Sequence, residues 1–152
     1  MLFVYSAGNL IPGQPCPSKK LEEYDVTAAT ILENRNMGID DNRVRTWVGS
    51  LDSNNVIASY SIEAREMAYD FLTAHDDLLS SGDGEGTSDA APPVSGAPAL
   101  LNQKFPNLKG NDIKDVLLQT ADDLGATGVD DIYGYGLLNI NNAMSPVGTL
   151  SR

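Results

Sequence analysis

A serine at position 88 follows a glycine-rich loop and opens a helix-forming stretch, in the run Gly86-Thr87-Ser88-Asp89-Ala90-Ala91-Pro92. The first turn of a helix presents backbone N–H groups with no intrahelical acceptor and a partial positive charge. Both stabilise negative charge that develops beside a serine oxygen. An asparagine at position 9 closes a second short motif, Ser6-Ala7-Gly8-Asn9, placed directly after an apolar run. Each residue also has a plainer reading when taken alone: Thr87 or Ser88 as a helix cap, and Asn9 as a residue that tolerates turn geometry.

The elements that would position these groups are legible in the apolar pattern. Leu2 to Tyr5 is short, apolar and rich in aromatic and β-branched residues, which fits a strand of a parallel sheet buried on both faces. From Thr87 the period becomes helical: Ala90, Val94, Ala97 and Leu101 form one stripe, Leu100 widens it, and Pro106 ends it. So few polar side chains over Ala90 to Leu101 predict a helix buried against the sheet. Strand ends and helix starts meet at one edge of a parallel sheet, so Asn9 and Ser88 need not be close in sequence to meet in space.

Between the two motifs, residues 10 to 43 read as loop with a weak helix around Val26 to Glu33. Val44 to Leu51 and Val56 to Tyr60 alternate around Asp52-Ser53-Asn54-Asn55 and predict a hairpin. Met67 to Ala74 reads as a strand, Leu78-Leu79 as a short further strand, and Ser80 to Gly86 as a flexible loop. After the central helix, an amphipathic helix capped by Asn111 carries Ile113, Val116, Leu117 and Thr120 on one face. The tail Tyr133 to Asn139 reads as a glycine turn entering an extended segment, before a last helical turn at Ile140 to Met144.

Composition narrows the function classes. The 152 residues carry a net charge of −11 with only 10 Lys and Arg, which disfavours nucleic acid and anionic membrane surfaces as partners. Cys16 stands alone, so no internal disulfide forms. The Met1-Leu2-Phe3-Val4-Tyr5 start has no basic region and breaks at Ser6-Ala7-Gly8, so it reads as neither a signal peptide nor a membrane span. One globular domain is the expected organisation.

Several segments together resemble one family. Gly86-Thr87-Ser88-x-Ala90-x-Pro92 followed by Val94-Ser95-Gly96-x-x-Ala99-Leu100-Leu101 is similar to the nucleophile segment of the subtilisin-like serine proteases, the subtilases of peptidase family S8. Ser6-Ala7-Gly8-Asn9 resembles their oxyanion-hole motif. Val48 to Asp52 with Ile57 to Ser61, and Tyr133-Gly134-x-Gly136-Leu137-Leu138-Asn139, resemble the strands and the closing turn that follow, in the same order. Thr120 to Gly125 and Gly128 to Asp130 are nearest to bacterial secreted subtilases, autotransporter passenger domains among them.

The resemblance implies a partial three-layer α/β fold with a mainly parallel sheet and a buried central helix starting at Ser88. Residues 1–152 would then be the C-terminal portion of one catalytic domain. It implies a serine endopeptidase acting on polypeptides, with Ser88 as nucleophile, Asn9 and the Ser88 N–H as oxyanion donors, and Ala7 and Gly8 lining the pocket for the residue before the cleaved bond. It implies secretion or display on a bacterial surface, and no cofactor. Calcium is allowed by the family, but no metal-ligand spacing marks a site.

A serine needs a base, and in this family an aspartate-oriented histidine supplies it. No Asp or His precedes Asn9. An N-terminal half supplying both is therefore the expected partner. His75, the one histidine, reads as an exposed loop residue, and Asp76, Asp77, Asp83 and Glu85 as a solvated charge run. Asp89 stands where the family has a bulky apolar residue, Pro93 where it commonly has a polar one, and Pro98 should cost about 3 kcal/mol or kink the helix. These departures define the competing reading, a truncated and inactive pseudo-protease that binds peptides or serves structurally.

Overall fold

In the computed structural model, which describes residues 1–10, 44–76 and 86–145, the apolar runs build a parallel sheet in the order β1-β2-β3. The strands are β1 (Leu2–Ser6), β2 (Val44–Leu51) and β3 (Phe71–His75). Tyr5, Trp47 and Phe71 lie in register across all three strands, and the Tyr5 and Trp47 rings stack with centroids 5.7 Å apart. Alternate residues reach opposite layers. Val48, Leu72 and Ala74 face the helices, whereas Trp47 and Phe71 pack with Ala7, Ile62, Ala64 and Met67 on the other side. A strand covered on both faces needs apolar residues at both phases of its pleat, which is why β2 is buried from Arg45 to Leu51.

Helix α1 (Thr87–Lys104) lies across the sheet and begins one residue before the expected start at Ser88. Ala90, Val94, Ala97 and Leu101 are buried as the stripe requires, but Leu100 is 43% exposed and takes no part in it. The helix is continuous through Pro98 and ends at Phe105, whose N–H bonds the Leu101 carbonyl at 2.7 Å, one residue before Pro106. Proline at 98 removes one backbone donor without dividing the element.

Helix α2 (Gly110–Gln119) starts two residues earlier than an Asn111 cap would allow. Its N-cap is Lys109, whose N–H is held by the Asp112 carboxylate at 2.9 Å. Ile113, Val116 and Leu117 are buried as expected, with Leu118 beside them, and Lys114 pairs with the buried Asp70 carboxylate. A last turn, α3 (Ile140–Met144), is capped by the Asn139 side chain, which accepts from the Asn142 N–H at 2.9 Å.

Two local expectations are corrected. Val44–Leu51 and Val56–Tyr60 do not form a hairpin: β2 pairs in parallel on both sides, and the return segment makes a single antiparallel bridge, Leu51 to Ile57. The intervening turn is real, because the Asp52 carboxylate accepts from the Asn54 and Val56 N–H groups at 2.8 and 3.0 Å. Those two backbone bonds, that from Val56 foremost, hold the Asp52 pKa below the ordinary 3.8. The run Met67 to Ala74 is split between a 3-10 helix (Arg65–Asp70) and β3. The helix near 26–33, the strand at Leu78-Leu79 and the loop from Ser80 lie outside the described residues.

The closing glycine turn covers the outer edge of β3, with Tyr135 N–H on the Phe71 carbonyl, Thr73 N–H on Gly136 and Leu138 N–H on Thr73 at 2.8–3.0 Å. Gly136 has φ +100°, and a Cβ there would overlap the Asp122 carbonyl oxygen. Gly136→Ala is therefore expected to destabilise the chain by about 2–3 kcal/mol, read as a fall in Tm of roughly 5–10 °C. An unchanged Tm would show that the turn does not hold the sheet edge.

Candidate active site

The carboxyl ends of the strands and the start of α1 meet where the two motifs lie. Ala7 leaves β1 with its N–H on the Val48 carbonyl at 2.8 Å, and Gly8 turns the chain with φ +103°, a conformation that glycine adopts at no steric cost. The loop is then stitched to the segment after the Asp52 turn. Ile62 N–H donates to the Gly8 carbonyl at 3.1 Å, Leu10 N–H to the Tyr60 carbonyl at 2.7 Å, and Asn9 bridges Ser61. These bonds set where the Asn9 side chain leaves the backbone.

Thr87 then sets which way it faces. The Asn9 Oδ1 accepts from both the Thr87 backbone N–H and the Thr87 hydroxyl, each at 2.9 Å. A backbone N–H can only donate, so the oxygen of the amide must face Thr87 and its NH2 group must face away. The Thr87 Oγ1 in turn accepts from the Gly8 N–H at 3.0 Å, and the residue is 1% exposed. One buried hydroxyl thus locks both the loop and the amide. Sequence reasoning counted Thr87 only as part of a motif or as a helix cap, whereas the N-cap is Gly86 with no side-chain cap. The signal available was a hydroxyl at a helix start facing a strand-end asparagine.

Gly86 marks the meeting point. A Cβ on this residue would lie 2.8 Å from the Asn9 Nδ2 and 3.3 Å from the Ser88 Oγ, so the amide donor and the hydroxyl flank one small space that only glycine leaves open. Ser88 is exposed and sits at the second position of α1, where its own N–H has no intrahelical acceptor. Asp89, half-buried, follows it. Of the two residues expected to line a pocket, Gly8 is half-buried beside Thr87, whereas the Ala7 methyl is in the core with Trp47 and Ile62.

The acidic and histidine readings need revision. His75 is the last residue of β3, half-buried and in register with Leu51, and its Nδ1 is buried with no hydrogen-bond partner. Asp76 is 8% exposed rather than solvated, and its carboxylate accepts from the Tyr60 hydroxyl. Asp77, Asp83 and Glu85 lie outside the described residues. Among the described residues no three Asp, Glu, His or Cys side chains converge as a metal site requires, so no donor set for calcium can be named. Among those residues, too, no helix is long and apolar enough to cross a membrane.

Comparison with known proteins fits this arrangement. A family model described as the subtilase family matches residues 1–136. The Neisserial autotransporter lipoprotein NalP of Neisseria meningitidis is 48% identical over 60 residues, 40% of this chain and 6% of that protein. Subtilisin BL of Lederbergia lenta is 33% identical over 153 residues, 89% of this chain and 55% of that protein. Among solved structures, MycP1 from Mycobacterium smegmatis aligns with a TM-score of 0.68 at 22% identity, covering 100% of this chain and 43% of that one, a likeness of fold. The chain spans little more than half the length of the longest-matched of these relatives and far less of NalP.

Proposed function

From the premise that this chain belongs to the subtilase family, we propose that residues 1–152 form the C-terminal portion of a serine endopeptidase domain in which Ser88 is the nucleophile and Asn9 the oxyanion donor. The observation that carries this reading is the convergence of the Asn9 amide and the Ser88 hydroxyl on the space beside Gly86.

The chemistry follows from what each group can give. A base removes the Ser88 Oγ proton as the oxygen attacks the scissile carbonyl. The carbonyl oxygen takes up the charge, and it is held by the outward-facing Asn9 NH2 and the unpaired Ser88 N–H. Collapse breaks the C–N bond, the base returns its proton to the departing amine, and water then releases the acyl group by the same route. The Gly8 turn lies alongside, with Ala7 contributing backbone rather than side chain to the wall that flanks the residue before the bond. In this family the base is a histidine oriented by an aspartate, and the step requires such a pair beside Ser88. No step needs a metal or an organic cofactor. The site acts on polypeptides, and NalP, an autotransporter by name, supports placing the parent protein outside the cell or on its surface.

One observation favours a second reading. Asp89, half-buried directly after Ser88, puts a carboxylate beside a site that must hold an anion, as an inactive peptide-binding relative could tolerate. A fluorophosphonate probe, followed by mass spectrometry of the Ser88 peptide, separates the two. Labelling is expected when the chain is combined with an N-terminal subtilase portion carrying Asp and His, and not with the chain alone or with Ser88→Ala. Silence in the combination would leave the inactive reading standing.

A further inference from the structure

A cleft of about 510 Å³ is formed by the segment that holds the Asn9 loop, lined by Asp52, Val56, Ile57, Tyr60 and Asp76 among others. Tyr60 is the shared wall: its carbonyl accepts from Leu10, the residue after Asn9, while its side chain reaches into the cleft. There its hydroxyl meets the Asp76 carboxylate and also lies 3.0 Å from the buried Ser50 Oγ. A carboxylate can only accept, so the Tyr60 hydroxyl donates to Asp76 and Ser50 donates to Tyr60.

This network leaves Asp76 in an unusual position. It is 8% exposed, yet the Tyr60 hydroxyl is its one partner among the described residues, and no Lys, Arg or His pairs with it. A buried carboxylate ordinarily has a cation or several donors to offset the loss of water. Among the described residues one oxygen is taken, the other accepts no hydrogen bond, and the residue lines a cleft. At the rim stands Asp52, which stays ionised because its turn amides hold its pKa down.

We infer that this cleft is a specificity pocket for a positively charged side chain, Lys or Arg, of the polypeptide laid across Asn9 and Ser88, with Asp76 as the recognising carboxylate. The cleft's apolar residues, Val56 and Ile57, suit the methylene stem that leads to such a charge. The inference rests on the proposed peptidase reading, because it needs a peptide that passes the Asn9 loop, but binding tests it without catalysis.

The experiment is fluorescence anisotropy of the full chain with two labelled peptides that differ only in carrying Arg or its uncharged isostere citrulline. About tenfold tighter binding of the Arg peptide is expected, shrinking as salt is raised. Asp76→Asn should abolish the preference. An unchanged Tm and far-ultraviolet circular dichroism spectrum of Asp76→Asn guard against a fold defect in that variant. Equal binding of the two peptides, binding of neither, or a preference that survives Asp76→Asn would overturn the proposal. So would calorimetric binding of calcium chloride alone that disappears in Asp76→Asn, which would assign the carboxylate to a metal. None of these outcomes depends on probe labelling at Ser88, so the inference can fail while the peptidase reading stands.

Discussion

Replacing Asn9 by alanine is expected to lower kcat about 10²–10³-fold, with KM nearly unchanged, in the domain completed by an N-terminal portion that bears Asp and His. The magnitude is that known for loss of this donor in a subtilisin, a member of the same family, and is not obtained from the present geometry. What the present geometry contributes is the reason for the split between kcat and KM. The Asn9 NH2 faces the space beside Ser88 Oγ, and in the proposed role an oxygen becomes charged there only as the bond forms, so its hydrogen bond would strengthen in the transition state and add little to ground-state binding. The amide is aimed before substrate arrives, because its oxygen is already committed to two Thr87 donors. Thr87→Val should therefore give a smaller loss of the same kind, since the backbone N–H still holds the amide. Steady-state kinetics showing a raised KM at constant kcat for Asn9→Ala would place the amide on the substrate rather than on the developing charge.

Much of the framework that aims these groups was legible because the apolar periods are strong. The stripe Ala90, Val94, Ala97 and Leu101 and the last turn at Ile140–Met144 lie where the pattern puts them, whereas β1 forms as a strand but at the sheet edge, with Phe3 exposed rather than buried on both faces. The failures share a cause: a local signal was read without the layer that would cover it. Val44–Leu51 looked like one arm of a hairpin because an Asx turn follows it. Burial on both faces instead made it the central strand of a parallel sheet, and the turn closes just one bridge. The run at Met67 begins as a 3-10 turn behind Arg65, whose positive φ of 44° carries no glycine to announce it. Asn111 was the better capping residue by type, but the Asp112 carboxylate reaches back to Lys109 and starts α2 earlier. At the candidate site, the sequence names Asn9 and Ser88 by type, and the structure brings the two side chains to one space beside Gly86. The Thr87 latch and the burial of Asp76 were not, because both depend on partners far away in the chain.

Gly86→Ala offers the sharpest separation of site geometry from fold. The backbone here is extended, with φ −175°, so alanine fits it without strain, and the only obstacle to a methyl group is the Asn9 amide at 2.8 Å, with Ser88 Oγ behind it at 3.3 Å. The amide is the end of a side chain and can swing away, at the cost of its bonds to Thr87. Leaving the buried Thr87 donors without that acceptor is expected to lower stability by about 1–3 kcal/mol. The oxyanion donor would then be displaced by an ångström or more, and a misplacement of that size costs about 10²-fold in rate. A kcat reduced to that degree in a variant that is still folded at the assay temperature would show that the glycine is retained to keep the space between amide and hydroxyl clear. Full activity in the alanine variant would mean that the two groups do not work on the same atom, and the assignment of Asn9 would fall with it.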